Sequence, residues 1–121
     1  MSKYLFVLAR GPQEPEAVGQ CLRLARLAVM KKHEVCLFLL GDAVSLPGHY
    51  APAGCWGASP RSTDDPGRLF SDLRASGARI LLDKRSARKR LGARGALHGD
   101  LALGSEAAMI DLAEQSKVFS F

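Results

Sequence analysis

The chain opens with a short hydrophobic run, Tyr4 to Ala9, that breaks at Arg10-Gly11-Pro12. A second run, Val35 to Leu40, breaks at Gly41-Asp42. Nearly continuous apolar runs of this length are expected of strands covered on both faces. Between them the apolar positions recur differently. Val18, Cys21, Leu22, Ala25, Ala28 and Val29 follow i, i+3, i+4, i+7 spacing and predict a helix from Pro15 to about Lys32. Proline suits the first helical turn, where its missing N–H costs nothing, and Glu14 and Glu16 favour the positive helix end. Lys31 and Lys32 complement the negative end. Strand, helix and strand make a βαβ unit with parallel strands. Leu24 and Leu27 fall partly off the stripe and offer apolar surface to another layer or a neighbouring subunit.

The pattern lapses between Gly41 and Gly67, where Pro47, Gly48, Pro52, Gly54, Gly57, Pro60 and Pro66 predict a long irregular loop. It then resumes. Arg68 to Ser76 reads as a short helix with Leu69, Phe70 and Leu73 inward, and Gly77 stops it. Arg79 to Leu82 is a third strand, ended by Asp83. A basic stretch follows as a short helix or helical turn, and Gly92, Gly95 and Gly99 make the next residues loop-like. A small strand, about Asp100 to Leu103, precedes Ser105, which can cap a helix from Glu106 to Gln115. That helix is expected to turn Met109, Ile110, Leu112 and Ala113 inward. Lys117 to Phe121 reads as a closing strand. The alternation predicts an α/β fold: a five-stranded, mainly parallel sheet with helices on both faces. In such sheets ligands bind beyond the C-terminal ends of the strands.

A length of 121 residues is expected to form one domain, 1–121, with a three-layer core. No apolar run approaches the roughly 20 residues that span a bilayer. The first strand begins almost at once, with nothing resembling a signal peptide, so the expected compartment is the cytoplasm. Cys21, Cys36 and Cys55 are odd in number and form no CxxC, which indicates neither a disulfide framework nor a zinc site. Cys21 falls on the helix stripe and Cys36 inside a strand, so both read as core thiols. Cys55 lies beside Trp56 in the irregular loop.

Net charge is +5 and uneven. Lys84, Arg85, Arg88, Lys89, Arg90 and Arg94 fall in one acid-free stretch; without those six the chain holds 11 basic and 12 acidic residues. The excess charge is therefore local.

In order and spacing, the chain resembles the DsrE/DsrF-like family, which includes the TusD-type sulfur-relay subunits. The residues that carry the likeness are KYLFVLARGPQEPE, LRLARLAVMKKHEV, CLFLLGDAV, SGARILLDKRSARKRLG and AAMIDLAEQSKVFSF. The resemblance implies a flavodoxin-like three-layer sandwich, symmetric homo- or hetero-oligomers and a role in sulfur transfer. It also implies a cysteine, just after the third strand, that carries sulfur as a persulfide. Matched onto ILLDKRSARKR, that place falls at or near Ser86, and the segment holds no cysteine. A serine hydroxyl is a poor nucleophile at neutral pH without an adjacent base.

The basic segment is the strongest local signal. It follows a strand and opens a helix, where unpaired backbone N–H groups favour anions. Lys84, Arg85, Ser86, Arg88 and Lys89 would suit a small anion or an acidic partner; a solvated helix face or an intersubunit salt-bridge surface is the plainer reading. Nucleic acid is not expected, because the patch is small and lacks interleaved aromatics. Arg10 and Asp42 are candidates at the same rim. Cys55 is the one candidate for a displaced reactive thiol, if cations lower its pKa. His49 and Cys55 with His98 or Asp42 match no metal-ligand pattern, so no metal and no cofactor are expected. His33 reads as a helix cap or an exposed residue. Three functions follow: an accessory binding member of the family without the carrier cysteine, forming a dimer, trimer or multiple of these; a sulfurtransferase or redox protein using Cys55; or a small-molecule, nucleotide or anion-binding domain.

Overall fold

A computed structural model describes residues 2–49, 66–91 and 101–121. Five strands form one sheet: β1 (Lys3–Leu8), β2 (Glu34–Leu39), β3 (Arg79–Asp83), β4 (Ala102–Gly104) and β5 (Lys117–Ser120). Their spatial order is β4-β3-β2-β1-β5 and every pairing is parallel. The helices are α1 (Pro15–Met30), α2 (Leu46–His49), α3 (Pro66–Ala75), α4 (Lys84–Leu91) and α5 (Glu106–Gln115). This is the α/β, helix-flanked parallel sheet that the alternation predicts.

The order of strands explains the layers. From β1 to β4 the chain steps one way across the sheet, so right-handed crossovers place α1, α3 and α4 on one face. The step from β4 back to β5 runs the other way and puts α5 on the opposite face. The two cores follow this division. Phe6, Leu8, Leu37, Leu39, Ile80 and Leu82 of the strands pack with residues of α1, α3 and Ala87 of α4. Alternate strand residues Leu5, Cys36, Phe38 and Leu81 face α5, where Met109, Leu112 and Ala113 rest on them.

Strands β1 and β2 each start one residue before the apolar run, because the ladder begins at the polar pair Lys3 and Glu34. Backbone pairing does not require an apolar side chain. The stretch after β2 departs further from expectation. Gly41–Ser45 forms a 3-10 turn that runs directly into α2. Ala43, Val44 and Leu46 are buried in the main core, and burying them drives this stretch to coil back onto the sheet despite its glycine and proline. Ile110 is also not inward: it is 59% exposed, and α5 has no fully buried residue. A lone helix on a broad sheet face touches it along a narrow line, and Ile110 lies beyond that line.

His33 neither caps by its side chain nor stands exposed. Its Nδ1 accepts a hydrogen bond from the Ser2 N–H at 3.0 Å, and its ring lies 5.0 Å from that of Tyr4. It pins the start of β1.

Candidate anion site

The connection after β3 rises to α4 on one face, while the connection after β4 descends to α5 on the other. Adjacent strands whose chains leave in opposite directions open a crevice at the C-terminal edge of the sheet. A cleft of about 470 Å³ lies there, lined by Asp83, Lys84, Arg85, Arg88, Lys89, Ser105 and Glu106. Two helix N-termini meet at it. Each carries backbone N–H groups without intrahelical partners and a partial positive charge.

Asp83 ends β3 and caps α4. Its Oδ2 accepts the backbone N–H of Ser86 at 2.9 Å and the Ser86 hydroxyl at 2.8 Å. The Ser86 Oγ in turn accepts the Gly41 N–H at 3.0 Å. One serine thus ties the start of α4 to the turn after β2. Asp83 is only 3% exposed, and its Oδ1 meets no hydrogen-bond partner. The other helix start is capped by Ser105, whose Oγ accepts the Ala108 N–H at 3.1 Å.

Lys84, Arg85, Arg88 and Lys89 are all exposed, line the cleft and form no ion pair among the described residues. The structure brings these four sequence candidates together. Ser86 stays behind them, half-buried in its network. Asp42 serves elsewhere, with Oδ1 2.6 Å from Arg90 Nη1. Asp42 also crowds Gly11, where an added Cβ would lie 2.8 Å from the Asp42 Cβ and 3.2 Å from its carbonyl oxygen. Arg10 pairs with Glu14 at 2.8 Å on the surface. Cys55 and His98 lie outside the described residues.

The sequence reading missed Asp83, Ser105 and Glu106 as cleft residues. The signal for Asp83 was present: an aspartate at a strand end, three residues before a serine, at the head of a helix, is a capping pattern. Ser105 was read as a cap, but only the topology places it opposite Asp83.

The described thiols, Cys21 and Cys36, are free and buried. Burial pushes Cys21 up to about 12. Burial raises Cys36 as well, with Arg79 opposing in part. A larger hollow of about 810 Å³, touched by Tyr4, His33, Cys36 and Arg79, lies at the opposite edge of the sheet. That edge is where the strands begin; it lacks the converging helix N-termini, so size alone does not make it the better site. Among the described residues no three or more His, Cys, Asp or Glu gather as a metal site, and no helix is long and apolar enough to cross a membrane.

Comparison with known proteins places this geometry in a family. The crystal structure of the YchN protein from E. coli matches with a TM-score of 0.77 over 100% of both chains, at 22% identity. At that identity the likeness is one of fold. No functionally curated protein matches the sequence significantly. The sequence pattern of the DsrE/DsrF-like family matches residues 2–121. The chain belongs to the DsrE/DsrF-like family.

Proposed function

We propose that this member of a family associated with sulfur relay is an accessory binding protein rather than a sulfur carrier. It holds an anionic ligand, or the acidic surface of a partner, in the cleft between the starts of α4 and α5. The observation that carries this reading is the convergence of Lys84, Arg85, Arg88 and Lys89 on that cleft at two helix N-termini. The place that the family resemblance assigns to the carrier cysteine supports it. Ser86 there donates its proton to Asp83 and accepts from Gly41, and neither Cys21 nor Cys36 offers a thiolate at neutral pH. Exposed Leu27, Ile110, Val118 and Phe119 favour assembly into a homo-oligomer.

Calorimetric titration with inorganic phosphate at low ionic strength tests the site. Binding should weaken as salt is added, and the double variant Lys84→Gln/Arg85→Gln should abolish it. Unchanged affinity in that variant would reduce the patch to a solvated face. Carrier chemistry is tested by incubation with a persulfide donor and peptide mass spectrometry. The expected result is no sulfur adduct on Ser86, Cys21 or Cys36. An adduct of about 32 Da on Cys55, one added sulfur atom, would replace this reading with that of a displaced-thiol sulfurtransferase.

A further inference from the structure

The anion cleft contains one group that an anion site would not be expected to bury. Asp83 is 97% buried by its 3% exposure, lines the cleft, and leaves Oδ1 without a hydrogen-bond partner while Oδ2 serves α4. A carboxylate oxygen only accepts. Left unmet in the interior it is costly, because it has given up water and gained nothing. The four cations around it call for negative charge, yet Oδ1 repels any bare oxygen brought close.

Both demands are met by one kind of ligand. We propose that the cleft selects oxyanions that carry their own proton, with hydrogen phosphate as the simplest case, and that Asp83 is the specificity-determining residue. Oδ1 itself is closed to solvent, so the side chains over it must shift to admit the oxyanion, whose O–H then donates to Oδ1 while its remaining oxygens take the Lys84, Arg85, Arg88 and Lys89 side chains. Sulfate has the same shape and, above the second ionisation of phosphate, the same charge, but it has no proton to give. It must set an acceptor against an acceptor. The inference rests on the anion-binding reading above and adds which anion the cleft takes.

The experiment compares phosphate and sulfate by calorimetry at about pH 8, where both are dianions. Equal charge cancels the contribution of the cations, so the difference reports the proton alone. Phosphate should bind at least about tenfold more tightly than sulfate, the scale of one hydrogen bond to a charged group. Arsenate and selenate form a second pair of like shape, and arsenate, which keeps a proton, should side with phosphate. Asp83→Asn retains a good capping residue but can present an N–H where Oδ1 stands; in it sulfate should gain and the preference for phosphate should vanish or reverse. Equal binding of the protonated and unprotonated anions by the unaltered protein would overturn the inference and leave the anion reading intact. So would a folded Asp83→Asn protein with the original ratio. Failure of all four anions to bind the unaltered protein would overturn both.

Discussion

Lys32 and Gly77 occupy the same place in two helix endings. After α1 the Lys32 N–H donates to Val29 O and the His33 N–H to Ala28 O; after α3 the Gly77 N–H donates to Arg74 O and the Ala78 N–H to Leu73 O. Both are Schellman endings, which need a left-handed residue at the turn. Gly77 adopts φ +91° at no steric cost, whereas Lys32 is held at φ +70°. Lys32→Gly should therefore stabilise the protein by about 0.5–1 kcal/mol, after the greater freedom of glycine in the unfolded chain is deducted; urea unfolding measures it. Cys21 gives a second prediction. Its thiol, near 9 when unfolded, is pushed up to about 12 in the fold by burial. A raised pKa means that the folded state keeps its proton longer. The contribution to stability is intact below about 9 and is lost as pH rises from there through about 12. Cys21→Ala should lose stability at neutral pH through the cavity it leaves, by about 1–2 kcal/mol. Its stability should also fall less steeply than that of the unaltered protein as pH rises above about 9, as parallel unfolding titrations would read.

Among the elements, α5 depends most on its cap. It buries no residue fully, so the Ser105 hydroxyl on the Ala108 N–H carries an unusual share of its stability. Ser105→Ala should cost about 1 kcal/mol and should raise amide exchange in α5 before it does so in α1. The same contrast shows what was legible in the sequence. The buried runs of β1, β2 and β3 announce themselves, and α1 shows its stripe, because each touches neighbours on broad faces that force a strict apolar pattern. Ser105 and Gly77 mark helix boundaries through backbone chemistry that is local, so one residue suffices to read them. Ile110 misled because inward periodicity assumes a partner wide enough to cover it. Ala43, Val44 and Leu46 were lost among glycine and proline, since three buried residues in a short turn make no period. The four cleft cations were legible as a charge run. Asp83 as their companion was not, because it takes the reversal between β3 and β4 to set it facing the start of α5.

On the scale of the whole molecule, large apolar side chains stay exposed among the described residues: Leu27 and Met30 on α1, Leu103 on β4, Ile110 on α5, and Val118 and Phe119 on β5. Scattered exposed hydrophobes are ordinary, but here three of the six, Ile110, Val118 and Phe119, sit on the two last elements. Light scattering at micromolar concentration should report a dimer, a trimer or a multiple of these, and Ile110→Glu with Val118→Glu should lower the mass without unfolding the chain. A monomer in the unaltered protein would leave those residues as plain surface. The strand order has a further consequence, for the time course of folding. β1 gains its second neighbour only from β5, whose Lys117 pairs with Tyr4 from more than a hundred residues away. During synthesis β2, β3 and β4 can assemble on β1 as each emerges, and the long return through α5 comes last. Until then one side of the first strand stands bare beside Phe6, which in the finished sheet is stacked 5.2 Å from Phe119. The nascent chain thus carries an open, apolar sheet edge until its final strand is made. Pairing over so long a loop is also entropically slow, and that interval is when the protein is most exposed to joining the wrong strand.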